Sequence, residues 1–458
     1  MHPLFKQSVV SPLLIKSTLD NDQLSNYRPI SNLFLISKIV ERVVKYRLTD
    51  HLYSHGLLNP HQSAYRRHHS TITSLLYIHD HLITDIALQK LFCLCLLDLS
   101  AAFDTIDHDI LLTRLSSWFG IHGYVLNWFK SYLSSRTFCV KCNDCFSFLH
   151  TSLYGVPQGS VLGPLFFIMY TTPLSTLISS LSLHRHLYAD DTQLFLSFHP
   201  SDFQASISRH QNALTQISSW LTSNLLSLKS SKTEFLLIGL KRQLSKIHNS
   251  STSIDITQSV CNLGFIFDEH LSFSDQISAL SKSCYHHIRA LRCIRPYLDL
   301  HTAKTVAAFI VHPKLDYCNS LYYGLPKFQI NRLQHIQNAL ARTVVQAPKF
   351  KHITPILKSL HWLKVSERIE YRVICLTYKI LNTTQPSYLY DLVSIQPPHG
   401  HNTRSSPHVT VIKPSSSLKV THRSLRHASP HLWNHLLTSL KIPHPRTESF
   451  IPLSATFI

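Results

Sequence analysis

The 458-residue chain is predicted to fold as an α+β protein, on three observations. Runs at 91–97, 194–198 and 234–239 are short, apolar and bounded by turn or polar residues, which marks strands and excludes an all-helical fold. Longer stretches, 275–296 above all, repeat apolar residues at helical spacing. Between them, His186-Leu187-Tyr188-Ala189-Asp190-Asp191-Thr192-Gln193-Leu194-Phe195 sets two adjacent carboxylates between two apolar runs, the pattern of a β-hairpin with an acidic tip. Adjacent like charges on a tight turn repel, so they are either solvated turn residues or ligands for hard cations such as Mg²⁺.

In chain order, residues 1 to about 89 open with an extended segment at 9–16. Helical periodicity follows at Leu35, Ile39, Arg42, Val43 and Tyr46, then a second helix over 71–88. The run Leu91-Phe92-Cys93-Leu94-Cys95-Leu96-Leu97 is expected to be a strand buried on both faces and ended by Asp98. A lone carboxylate at such a rim is costly unless paired, hydrated or metal-bound, so Asp98 joins Asp190 and Asp191 as a candidate ligand in a two-metal clamp. After a helix over 109–118, Cys139, Cys142 and Cys145 with nearby His150 have zinc-ligand spacing, but a strand-turn-strand hairpin is the simpler expectation. Gly155-Val156-Pro157-Gln158-Gly159-Ser160-Val161-Leu162-Gly163-Pro164 then holds three of the chain's ten glycines. Glycines concentrate where backbone comes close to something. A base pair or phosphate would meet Gly155 and Gly159 there, with Gln158 as a neutral hydrogen-bonding side chain; the alternative is an ordinary loop-to-helix turn. A helix to 177, the acidic hairpin, a helix over 203–221 and a last strand over 234–239 complete this part.

Over 275–296, Ile277, Leu280, Cys284, Ile288 and Leu291 fall on one helical face, and Lys282, His286, Arg289 and Arg292 on another, with no acidic residue between Gln276 and Leu298. An acid-free basic face points to a phosphate backbone, the alternative being an ordinary amphipathic helix. A helix over 329–345 follows. Residues 341–458 carry fifteen Lys and Arg against four Asp and Glu, with Pro and Ser clusters from Gln385 onward. This region is expected to be basic and partly flexible, with helices at 366–381 and 432–440 and a packed patch at Trp433.

A net charge of +19 implies a polyanionic partner. The apolar runs at 91–97 and 165–170 are far shorter than the ~20 residues of a membrane span, and no basic-then-apolar signal opens the sequence. An intracellular protein with no membrane partner is expected. Cys93 and Cys95 fit small core side chains, and most of the 32 histidines are expected on the surface.

Leu97-Asp98-Leu99-Ser100-Ala101-Ala102-Phe103-Asp104, the Gly155–Pro164 decapeptide and Tyr188-Ala189-Asp190-Asp191 resemble, in order, three core polymerase motifs of reverse transcriptases, and most closely those of LINE-type, jockey-like non-LTR retrotransposons. Asn26-Tyr27-Arg28-Pro29, Gln62-Ser63-Ala64-Tyr65-Arg66-Arg67, Ser231-Lys232-Thr233-Glu234 and Asn262-Leu263-Gly264-Phe265 match in register. The resemblance implies a right-hand polymerase with fingers (1–89), a palm with an antiparallel sheet and inserted fingers elements (90–258), a helical thumb (259–345) and a basic C-terminal tail (346–458).

It implies that Asp98, Asp190 and Asp191 bind two Mg²⁺ ions, with Mn²⁺ as an alternative. Phe103 matches a steric gate that favours deoxynucleotides, Gln158 a residue packing on the incoming nucleotide, Arg66 a triphosphate contact and Lys232 a general acid for pyrophosphate. Lys282, Arg289 and Arg292 fall on the thumb helix facing the primer-template duplex. An RNA template, a DNA primer or target and deoxynucleoside triphosphates are the implied partners, in a ribonucleoprotein of nucleus and cytoplasm, and no obligate protein partner is inferred. The chain is expected to be N-terminally truncated, with no upstream segment long enough for the endonuclease of such elements. Lys229 and His68-His69 depart from the family pattern. The rival expectations are an inactive retroelement remnant binding RNA by charge, and an RNA-dependent RNA polymerase, which Phe103 and Pro157-Gln158-Gly159 disfavour.

Overall fold

The structure, a computed structural model, describes residues 1–442 except 17, 101, 230–231, 248–254, 398–407 and 416–417. At its centre the wholly apolar strand Leu91–Leu97 pairs antiparallel with Asp191–Phe198 on one side and Glu234–Ile238 on the other. His184–Tyr188 extends the sheet beyond Asp191–Phe198, so the acidic hairpin forms as expected. A two-residue strand, Ile256–Thr257, adds a parallel edge beside Glu234–Ile238. The sequence marks 234–239 as the last strand because so short an edge leaves no periodic signal.

Period-two alternation divides the central strand between two cores. Phe92 and Leu94 enter one hydrophobic cluster, while Leu91, Cys93, Cys95 and Leu97 enter the other. Helix Thr71–Ala87 covers the first face; helices His108–Ser117, Gly163–Ser180 and Phe203–Ser223 cover the second. Both cysteines are buried, and burial pushes the Cys93 thiol up to about 12, as suits inert packing.

A second sheet starts at the N-terminus, where Gln7–Leu14 pairs antiparallel with Tyr27–Leu33 and parallel with Arg136–Cys142. Cys142 lies opposite Cys145 in the hairpin that follows, the strand-turn-strand expected there. Helix Leu35–Ser54 forms, but with its face reversed. Ser37, Glu41, Leu48 and Leu52 are buried, whereas Leu35, Ile39, Val43 and Tyr46 of the expected apolar stripe are exposed. The cause is Glu41, whose carboxylate accepts from the Val161 N–H at 2.6 Å and the Tyr132 hydroxyl at 3.0 Å. A hydrogen-bonded buried anchor fixes the rotation of the helix against its apolar stripe.

Helix Ser274–Ile294 buries the predicted face and packs on helix Lys327–Val344. The C-terminal region is folded more extensively than its composition indicates. Ile353–Leu360, Val365–Thr383 and Leu425–Asn434 are helices, and Trp433 is fully buried, its indole N–H donating to the Val409 carbonyl at 2.9 Å. Arg426 reaches Asp80, fully buried on helix Thr71–Ala87, through its backbone N–H at 3.0 Å and its guanidinium at 3.2 Å. The region therefore shares a core with the expected fingers and thumb. Parts of its Pro and Ser clusters, at 398–407, 416–417 and 443–458, lie outside the described residues. Among the described residues no helix is long and apolar enough to cross a membrane.

Candidate active site

Sheet register gathers the three carboxylates. Leu97 pairs with Thr192 and Tyr188 with Asp191, so continuing each ladder by one residue sets Asp98 beside Asp191 and puts Asp190 in the two-residue turn. All three line one open cleft of about 430 Å³ with Arg28, Lys232, Glu234 and Asn262. The Lys232 ammonium stands 2.5 Å from Asp98 Oδ2. Lys229, the departure from the family pattern, acts here through its backbone, donating its N–H to the Asp98 carbonyl at 2.9 Å.

The cleft holds more negative charge than it neutralises. Burial, then Asp190 and Asp98, raise the Asp191 carboxyl to about 6, against the partial relief of Lys232. Burial and Asp98 also raise Asp190, while Arg28 and Lys232 oppose. As they are placed, no three His, Cys, Asp or Glu side chains among the described residues form a ready metal cage.

The turn itself is held from outside. Ala189 has φ of 56°, a left-handed conformation that is unfavourable for any residue with a Cβ. Gln62, buried, accepts from the Ala189 N–H at 3.0 Å and donates to the Ala189 carbonyl at 3.4 Å. Its neighbours complete a short parallel ladder, Ser63 N–H to the Leu187 carbonyl and Leu187 N–H to the His61 carbonyl, both 2.9 Å. Gln62 is a positioning residue for the acidic tip. Gln62→Leu is expected to speed amide exchange at Ala189 and Asp190 at least about 10-fold with the fold retained; unchanged exchange there would make Gln62 packing only.

The remaining predicted residues divide into groups. Gly155 and Gly159 need to lack a Cβ because the chain's own backbone comes close to them. A Cβ would stand 2.6 Å from the Asp104 carbonyl oxygen at Gly155 and 2.8 Å from the Ser31 carbonyl oxygen at Gly159, where φ is +76° and +112°. This packing accounts for both glycines without a bound base pair. It also sets Gln158, whose amide donates to Asp104 Oδ2 at 2.7 Å, beside Phe103, whose carbonyl accepts from Val156 N–H and whose ring packs on Phe167. Arg66 does not line the cleft: its Nη1 donates to the Asn59 and Gln62 carbonyls at 2.6 and 3.2 Å. The arginine in the cleft is Arg28, on strand Tyr27–Leu33, which the sequence left without a role although Asn26-Tyr27-Arg28-Pro29 was visible. Lys282, Arg289 and Arg292 are exposed on the face of their helix opposite the core.

A sheet whose strand ends converge three carboxylates and a lysine on an open cleft has the layout of a polymerase palm. The chain belongs to the reverse transcriptase (RNA-dependent DNA polymerase) family, whose model matches residues 16–267. Among curated relatives, the probable RNA-directed DNA polymerase from transposon BS of Drosophila melanogaster is 28% identical over 355 residues, 75% of this chain and 39% of that protein. The RNA-directed DNA polymerase from mobile element jockey of Drosophila funebris is 25% identical over 368 residues, 77% of this chain and 39% of that protein. The jockey-like, LINE-type kinship expected from the motifs is thus borne out, and the chain spans about two fifths of the length of these relatives. Among solved structures, apo telomerase from Candida tropicalis matches with a TM-score of 0.46 at 11% identity, covering 84% of this chain and 69% of that one.

Proposed function

We propose that the chain is an RNA-directed DNA polymerase that extends a primer 3′-hydroxyl with deoxynucleoside triphosphates on an RNA template, as in retrotransposition. The observation that carries this is the convergence of Asp98, Asp190 and Asp191 on one cleft. The donor set suits Mg²⁺ or Mn²⁺: the ligands are hard oxygens, and carboxyls raised by burial and then by their neighbours' charge mark a site short of positive charge. Mg²⁺ is typically held by one or two carboxylates with substrate phosphates and water completing its shell, so a preformed protein cage is not required. Bound there, two divalent cations would stabilise charge on the reacting phosphoryl group and make the primer hydroxyl more acidic.

The chain's own residues supply the rest. Arg28 opposes the triphosphate's charge in the cleft. Lys232, at Asp98, is positioned to pass a proton to the departing pyrophosphate. Asp104 fixes the Gln158 amide beside the incoming nucleotide, and the Phe103 ring, backed by Phe167, fills the space that a ribose 2′-hydroxyl needs. The exposed Lys282, Arg289 and Arg292 face the duplex backbone. Comparing deoxynucleotide with ribonucleotide incorporation on a primed RNA template tests the assignment, and equal use of both contradicts it. Phe103→Ala is expected to raise ribonucleotide use at least about 10-fold relative to deoxynucleotide, roughly the loss of 1.4 kcal/mol of discrimination; an unchanged ratio removes the gate from Phe103.

A further inference from the structure

Between helices Ser274–Ile294 and Lys327–Val344 lies a groove of about 750 Å³ whose lining includes Arg292, Arg295, Arg342, Lys349 and His335 and no acidic residue. The two helices offer no neutralising charge of their own beyond Asp275 in the first turn of one of them. Arg295 is engaged by the fold, its Nε and Nη1 donating to the Val344 and Leu298 carbonyls at 2.6 Å. Arg342 is not. Its Nε is shielded from solvent without a hydrogen-bond partner among the described residues, and its Nη2 makes one long contact, 3.4 Å, to the Lys351 carbonyl. A shielded cationic donor left unmatched is costly, and an anionic oxygen is its strongest partner.

Position and aromatic content narrow the anion. Strand Phe265–Asp268 runs into the N-terminal end of helix Ser274–Ile294, close to the Asn262 wall of the catalytic cleft. Arg292 lies at the other end of that helix, roughly 24 Å along its axis from Gln276 at 1.5 Å per residue. Tyr285, 42% exposed, lines the groove, and Tyr297 and Phe350, 88% and 89% exposed, follow the lining residues Pro296 and Lys349 in the chain. Exposed rings beside cationic side chains suit unpaired bases, because bases in a duplex are already stacked on one another.

We propose that this groove binds a single-stranded polynucleotide outside the catalytic cleft, with Arg342 and Lys349 on its phosphodiesters and Tyr285 stacked on a base. The site goes beyond the polymerase proposal and does not depend on catalysis. The test is fluorescence anisotropy of the full chain with short labelled oligouridylate and oligothymidylate, whose two arms separate RNA from DNA as the strand held. For the Arg342→Ala/Lys349→Ala double variant, affinity is expected to fall at least about 10-fold, and the slope of log affinity against log salt to drop by about 1.4 for two lost phosphate contacts. Tyr285→Ala is expected to weaken binding several-fold with the salt slope unchanged, so a change to one basic pair does not decide the matter alone. A blunt primer-template duplex is expected not to displace the oligonucleotide. Native affinity in both variants, or one-for-one displacement by the blunt duplex, overturns the proposal. Asp190→Asn protein should bind the oligonucleotide normally, which separates failure of this site from failure of the polymerase assignment.

Discussion

Replacing Asp190 by Asn is expected to abolish nucleotide addition, a loss of at least about 10³-fold in kcat, while leaving the protein folded. The substitution preserves shape and removes one charge from the turn where the carboxylates converge. In the free protein that charge is unfavourable, since Asp190 and Asp98 both raise Asp191 and Asp98 raises Asp190. Neutralising it relieves repulsion, so the melting temperature should hold or rise as activity vanishes. The two readouts therefore move independently, which a purely structural role would not produce. Extension at the native rate by this variant would remove Asp190 from the chemistry.

Acid should unfold the protein well before its carboxylates are fully protonated. Burial lowers His61, His69, His81, His210 and His312 to about 4, and drives His79 and His186 well below the ordinary histidine range. Each is neutral in the folded chain and takes up a proton near 6.5 when unfolded, so the unfolded state binds more protons in that window. The stability these groups contribute is fully present above about pH 6.5 and is lost as pH falls toward about 4. The carboxyls that burial raises, Asp80, Asp85, Asp104, Asp190 and Asp191, act in the opposite sense, but they are five groups against these seven histidines. Several of the histidines meet at one seam, where His186 Nε2 lies 2.9 Å from the Ser63 hydroxyl, and that hydroxyl lies 2.7 Å from the Tyr388 hydroxyl of the C-terminal region. Denaturant titrations at pH 7, 5.5 and 4.5 should show the midpoint falling steadily. A flat midpoint across that range would contradict the buried neutral histidines.

The sheet and its acidic end were legible because short apolar runs have one regular solution here, and a carboxylate closing such a run has few inexpensive environments. The glycine-dense loop was legible as a place of close approach, but its neighbours, the carbonyls of Asp104 and Ser31, are distant in sequence and left no local signal. The same holds for Gln62, whose role depends on a main-chain turn more than a hundred residues away, and for Arg28, brought to the cleft by pairing in a separate sheet. The apolar stripe of helix Leu35–Ser54 misled because one buried, hydrogen-bonded Glu41 fixed its rotation. In the C-terminal region the helix over 366–381 and the Trp433 patch were legible, whereas the helix expected over 432–440 forms earlier, at Leu425–Asn434, and the Arg426–Asp80 pair that holds it joins residues too far apart to leave a local signal.

The most direct test is primer extension by the purified chain on an RNA template with a DNA primer, deoxynucleoside triphosphates and Mg²⁺. The convergence of Asp98, Asp190 and Asp191 predicts template-dependent extension that stops when Mg²⁺ is chelated and resumes when it is restored. A folded chain that binds the primed template yet adds no nucleotide at any Mg²⁺ or Mn²⁺ concentration would contradict it, and would leave an RNA-binding remnant in place of a polymerase.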